Sequence, residues 1–168
     1  MTRSDLAHLL VSRVGRIRRW IFFTFAPPII LAGATMYLLL TELMLRSYGF
    51  SMLSSDAGRS MVAERIAGVA GLVTLAAVAA PMLALLVKRM HDSNISGQWL
   101  WVVALPVACA ILADAFGLSG TSEAPTLLGE TLMRMTAVAT LALIPIALWP
   151  GTAGPNRFGP DPRNGQLA

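Results

Sequence analysis

Few residues in this chain have the type and spacing to do chemistry. Two histidines, His8 and His91, and one cysteine, Cys109, leave no cluster at metal-ligand spacing, so no metal site and no cofactor is expected. Gly-x-Ser-x-Gly, Walker and dinucleotide-binding motifs are missing as well. His91 and Asp92 are adjacent, and adjacent side chains on a helix do not face one another, so they are not a ready-made dyad. An imidazole titrating near neutrality still makes His91 the candidate acid or base of an interfacial enzyme. Cys109 lies midway along an apolar run and is expected to pack in a core rather than to react.

The elements that must position these groups follow from composition. Of 168 residues, 55% are apolar before glycine is counted and 13% are charged. Soluble domains average about 45 to 50% apolar with glycine included and about 25% charged. A soluble globule, a disordered chain and a disulfide scaffold are therefore excluded. The expectation is a single integral membrane domain over residues 1–168.

Crossing about 30 Å of hydrocarbon takes about 20 apolar residues of helix. Four stretches qualify: about 20–45, 66–87, 99–118 and 131–149. Barrel strands would alternate in polarity, and these runs do not. The fold class is all-α, a four-transmembrane-helix bundle. It carries a short N-terminal interfacial helix within the basic tail 1–19 and an irregular, Gly/Pro-rich cytoplasmic tail, 150–168. Leu6, Leu10, Val14 and Ile17 recur at helical spacing, which suggests that this N-terminal helix lies in the headgroup region. The apolar run after Arg19 continues through Tyr37 to Leu40 and reads as a first span rather than a cleaved signal.

Small residues mark close helix packing in lipid. Ala63, Ala67 and Gly71, continued by Ala76, Ala80 and Ala84, predict a buried face on the second span. Pro27, Pro28, Pro81, Pro106 and Pro145 fall inside spans and are expected to kink them. No ionisable residue falls at mid-depth, near Gly33, Ala77, Ala108 or Thr140, which argues against an ion-coupled transporter. Glu42, Asp114, Glu130 and Arg134 fall near span ends, with Glu130 and Arg134 four apart in the order that favours an ion pair.

The net charge is +4, but the cations cluster at span ends rather than in a nucleic-acid stripe. With four spans, one side holds Arg3, Arg13, Arg16, Arg18, Arg19, Lys88, Arg89, Arg157 and Arg163; the other holds only Arg46, Arg59, Arg65 and Arg134. The acids Glu42, Asp56, Glu64, Asp114, Glu123 and Glu130 also fall on that second side. By the positive-inside rule both termini are cytoplasmic.

Two polar segments have specific content. Lys88-Arg89-Met90-His91-Asp92-Ser93-Asn94-Ile95-Ser96-Gly97-Gln98-Trp99 joins the second and third spans, and Pro150-Gly151-Thr152-Ala153-Gly154-Pro155-Asn156-Arg157-Phe158-Gly159-Pro160-Asp161-Pro162 follows the fourth. Together they resemble the signature of a bacterial inner-membrane family catalogued as domain of unknown function 805. Its members carry a basic pair, Leu-His-Asp, Ser-Gly-Trp-Trp and Ile-Pro, and end in Pro-Gly-Thr-x-Gly-x-Asn-x-Tyr-Gly-x-Asp-Pro. Here Met90, Gln98 and Phe158 depart from that pattern, and Gly15-Arg16 with Arg19 and Trp20 looks like a shortened form of its N-terminal Gly-Arg-x-x-Arg. The resemblance implies a small multispan inner-membrane protein and supplies no activity.

Loop 88–98 and tail 150–162 are expected to fold together into a cytoplasmic cap of Arg89, His91, Asp92, Ser96, Gly97, Asn156, Arg157 and Asp161. In that cap Asp92 pairs with Arg157 or Arg89, and Asn156 bonds loop backbone. Lys88 and Arg89 are expected to complement the end of the second helix, and Arg16, Arg18 and Arg19 to contact headgroups. The leading reading is a non-enzymatic protein whose cap binds lipid headgroups or a protein partner. A transporter or channel subunit and an interfacial enzyme using His91 are the alternatives. The lipid bilayer is the expected partner, nucleic acid is not, and homo-oligomerisation stays open.

Overall fold

A computed structural model describes residues 3–47, 56–121 and 124–162. Glu123 and Arg163, counted above in the charge asymmetry, lie outside them. The described chain is helical: α1 (Arg3–Val11), α2 (Arg19–Ser47), α3 (Asp56–Asp92), a 3-10 turn (Gly97–Leu100), α4 (Trp101–Ala115) and α5 (Leu127–Leu148). Beyond two isolated bridges, Gly120 with Pro125 and Asn156 with Gly159, no β-pairing occurs among the described residues.

Four stretches are long and apolar enough to cross a membrane: Arg19–Ser47, Arg59–Asp92, Gly97–Ala115 and Leu127–Leu148. The chain is a multi-pass, all-helical membrane protein. The five span prolines all lie inside helices that continue past them. Large side chains such as Leu31, Leu38, Val102, Val138 and Leu141 stay exposed on the spans, as lipid allows and water does not.

The chain divides into two compact units, and the spanning helices contribute to both. Unit 1 comprises Met1–Leu31, Val78–Val102 and Thr140–Ala168. Its core gathers Leu9, Ile17, Ile21, Phe22 and Ala26 with Leu85, Leu86, Val87, Met90 and Leu100. Every residue of α3 from Ala84 to Met90 is buried. Gly97 lets the 3-10 turn settle on the Val87 side chain, which a Cβ would strike.

Unit 2 comprises Ala32–Ala77 and Val103–Ala139. Its tightest packing is at Gly68, where an added Cβ would overlap the backbone of Asp114 and Ala115; one turn on, Gly71 meets Ile111. α4 ends in a Schellman motif. Gly117 sits at φ 69°, Leu118 N donates to Ala113 O at 2.8 Å and Gly117 N to Asp114 O at 3.0 Å. Thr126 caps α5, its hydroxyl accepting from Gly129 N at 3.1 Å and donating to Leu118 O at 2.8 Å.

Several expectations need correction. The second span does not stop near residue 87: α3 runs to Asp92, so Lys88 to Asp92 form its last turn rather than a loop. The third span stops at Ala115, short of residue 118, because the glycine at 117 takes the left-handed conformation that ends a helix. α1 ends at Val11, leaving Val14 and Ile17 outside it, and Leu9 rather than Leu6 is its buried residue. The small-residue stripe holds only in part: Gly71 meets Ile111 and Ala84 is buried, whereas Ala76 and Ala80 are exposed and the closest contact falls at Gly68, off the stripe. Cys109 is exposed on α4 rather than packed in a core.

Gly68→Val is expected to destabilise the purified protein by about 1 to 3 kcal/mol, because backbone cannot yield as a side chain does. Ala76→Val, on an exposed face, should leave the thermal unfolding midpoint in detergent unchanged.

Candidate functional site

The last turn of α3 has four backbone carbonyls without helical partners. A second Schellman motif satisfies part of that need: Asn94 takes φ 59°, Asn94 N donates to His91 O at 3.0 Å, and Ile95 N donates to Met90 O at 2.9 Å. The tail supplies the rest. Thr152 N and its hydroxyl both donate to Asp92 O, at 2.8 and 3.0 Å. Asn156 Nδ2 donates to His91 O at 2.9 Å. The end of α3 is therefore completed by residues some 60 positions further along the chain.

Three cations are buried beside it: Arg16 at 2% exposure, and Lys88 and Arg89 at 0%. Asp92 is buried between two of them. Its Oδ1 accepts from Arg16 Nη2 at 3.0 Å and from Nε at 3.2 Å; its Oδ2 accepts from Arg89 Nη1 at 2.6 Å. Burying a guanidinium is tolerable only when its donors are met. Arg16 also donates to Gly154 O at 2.7 Å and Thr152 O at 2.6 Å. Arg89 also donates through Nε to Ala147 O and through Nη2 to Trp149 O, at the end of α5. Lys88 Nζ donates to His8 O at 2.7 Å and Leu9 O at 3.2 Å, in the last turn of α1. Two of the buried cations thus cap helix C-termini, where carbonyls and dipole both favour positive charge.

The tail is shaped to reach this cluster. Gly151 lies so close to Asp92 that a Cβ there would overlap Oδ2. Gly154 takes φ 77°, and its N–H donates to Asp161 Oδ2 at 2.7 Å. Residues 156–159 form a turn in which Asn156 N meets Gly159 O at 3.1 Å and Asn156 Oδ1 accepts from Phe158 N at 2.9 Å. That turn lays the Phe158 ring flat on His91, with centroids 3.9 Å apart and planes 6° from parallel. His91 Nδ1 lies 3.2 Å from Gly15 O, so the imidazole faces backbone and not Asp92.

Of the residues expected in a cap, the structure brings Arg89, His91, Asp92, Asn156 and Asp161 into one cluster. Arg157 is not the partner of Asp92. It donates to Asn94 O at 3.0 Å and lies 4.7 Å from the Phe158 ring centroid, exposed. Ser96 caps the 3-10 turn, accepting from Gln98 N at 3.4 Å. The three arginines expected at headgroups also divide. Arg16 is buried in the cluster, Arg18 is half-buried and donates to Pro162 O at 2.7 Å, and Arg19 is exposed. Lys88 complements α1 rather than its own helix. Residue types alone do not single out Arg16 and Thr152 as the bridge between N-terminal segment, α3 and tail, although Gly15 before Arg16 is a signal, since it holds φ 96°.

Both Asp92 oxygens hold guanidinium groups, and among the described residues no three His, Cys, Asp or Glu side chains could hold a metal ion. Neutralising the central charge should be costly: Asp92→Asn leaves two buried guanidinium groups short of their anion, an expected loss of about 3 to 5 kcal/mol. Gly151→Ala, which pushes the carboxylate aside, should lower the thermal unfolding midpoint in the same direction. Arg157→Gln should change it little.

A family model described as "Protein of unknown function (DUF805)" matches residues 10–160. No curated protein and no solved structure matches the chain significantly.

Proposed function

The chain belongs to the DUF805 family of proteins of unknown function, and on that premise we propose that it is a bacterial inner-membrane protein, both termini cytoplasmic, whose unit 1 surface binds anionic lipid headgroups without transforming them. The observation that carries this reading is the make-up of that surface. All four tryptophans, Trp20, Trp99, Trp101 and Trp149, belong to unit 1 and are exposed. Arg13, Arg19 and Arg157 are exposed in the same unit. Indole rings settle at headgroup level, and each arginine near an acidic surface contributes about 1 kcal/mol of attraction.

The buried cluster supports this surface rather than forming it. Arg16, Lys88 and Arg89 spend their donors inside the protein, so they hold segments in place and leave headgroup contact to the exposed arginines. α1 fits the same role: with Leu9 buried and Leu6 and Val11 exposed, it is suited to lie along the membrane surface. The excess of Lys and Arg on the side of the termini favours the cytoplasmic leaflet.

The test is thermal unfolding of the full chain in neutral detergent, titrated with phosphatidylglycerol or phosphatidylcholine. Phosphatidylglycerol should raise the midpoint in a salt-sensitive way and phosphatidylcholine should not. The triple variant Arg13→Gln, Arg19→Gln, Arg157→Gln should bind phosphatidylglycerol at least tenfold more weakly. Equal stabilisation by the two lipids, or an unaltered triple variant, contradicts the reading.

A further inference from the structure

Two segments far from His91 in sequence hold its ring. From the N-terminal segment, Gly15 O lies 3.2 Å from Nδ1. From the tail, the Phe158 ring lies flat on the imidazole, with centroids 3.9 Å apart. A carbonyl can only accept, so Nδ1 carries the proton of the neutral ring and acid adds a second proton at Nε2. The ring is therefore a joint whose charge can change near neutrality.

The turn 156–159 rests on that joint. Besides the stack, Asn156 Nδ2 donates to His91 O at 2.9 Å and Arg157 Nη2 to Asn94 O at 3.0 Å, while Gly159 N closes the turn on Asn156 O at 3.0 Å. Upstream, Thr152 is tied separately, through its N–H and hydroxyl to the backbone oxygen of Asp92. The tail thus has two attachments to α3, and only the one at the turn includes a group that titrates near neutrality.

Every element packed on the ring brings charge. Arg16 follows Gly15, Arg157 precedes Phe158 with Asp161 beyond it, and Lys88, Arg89 and Asp92 share the last turn of α3 with His91. Asp92 is engaged by Arg16 and Arg89, and Asp161 Oδ2 accepts from Gly154 N, whereas the imidazole bonds a neutral carbonyl. A cation over a phenyl face is ordinarily attracted. Here the Arg157 guanidinium already stands 4.7 Å from the Phe158 centroid, so an imidazolium stacked on that ring meets a like charge, and half burial withholds part of the water that would solvate it. The stack favours the neutral ring. We propose that His91 and Phe158 form an acid-released latch, which clamps turn 156–159 to the end of α3 while the imidazole is neutral and frees it, with Arg157, on protonation. The latch goes beyond headgroup binding and needs no lipid to work.

The test uses the full chain in neutral detergent. His8, the other histidine, has an exposed side chain, so in a His8→Gln background isotope-labelled histidine reports His91 alone by nuclear magnetic resonance. At about pH 8 its ring resonance should lie upfield of a free imidazole, shifted by the stacked Phe158, and by about pH 5 that upfield shift should vanish. Amide exchange of residues 156–159, corrected for its intrinsic pH dependence, should speed up at least tenfold over the same range. The Thr152 N–H should keep its protection, since carboxylates stay largely ionised at about pH 5. His91→Phe, which stacks and cannot be protonated, should keep the turn protected at both pH values; Phe158→Leu should leave it unprotected at both. The proposal is overturned if exchange in the turn of the His8→Gln protein is the same at both pH values, or if Thr152 loses protection together with the turn. It is also overturned if His91→Phe loses protection at either pH, or if Phe158→Leu holds the turn as firmly as the unaltered ring does.

Discussion

Unit 1 depends on one constraint: a buried guanidinium must find its anion and its hydrogen-bond acceptors inside the protein. Arg16 and Arg89 meet it by sharing the two oxygens of Asp92 and by turning further N–H groups to backbone carbonyls of the tail and of the end of α5. The carboxylate alone could not serve both. The carbonyls alone would leave two positive charges without an anion. Three chain segments far apart in sequence must therefore come together for any of the three side chains to be buried at all, so this contact specifies the arrangement of unit 1 even where its net contribution to stability is modest.

The same logic explains why polar residues crowd the end of an apolar helix. Helix C-termini present unpaired carbonyls that lipid cannot satisfy. Lys88 answers that need for α1, Arg89 for α5, and Thr152 and Asn156 for α3. Glycines act where backbone must come close: Gly151 against Asp92, and Gly68 against α4. Polar closure and small-residue packing are thus two solutions to one shortage of water. Buried cations carry out the first in unit 1, and close glycine contacts serve both units.

How much of this the sequence discloses varies with the range of the interaction. The four spans are legible because about 20 uninterrupted apolar residues have a single physical reading. The pairing of Glu130 with Arg134 is legible because it is four residues long. Arg89 with Asp92 is visible as one of two options, since a neighbour on the same turn and a distant tail arginine are chemically alike. Arg16 is the instructive miss. In sequence it is one of several cations before an apolar run, where a headgroup contact is the ordinary reading; only the fold shows that a carboxylate 76 residues away takes it out of solvent. The end of α3 is misjudged for the same reason. Lys88, Arg89 and Asp92 are charged, and charge ordinarily marks a loop, whereas here tertiary partners let the helix carry those charges inside. The exposure of Cys109 depends on which helix face meets a neighbour, which is not a property of one helix alone.

The central claim is that Asp92 ties the N-terminal segment to the tail through Arg16. Spin labels at the exposed positions 13 and 157, in a Cys109→Ser background, report that tie as a pulsed electron–electron distance. A single narrow distribution that broadens when Asp92→Asn is added is the predicted result. A distribution that is broad from the start, or one that Asp92→Asn leaves narrow and unmoved, contradicts it.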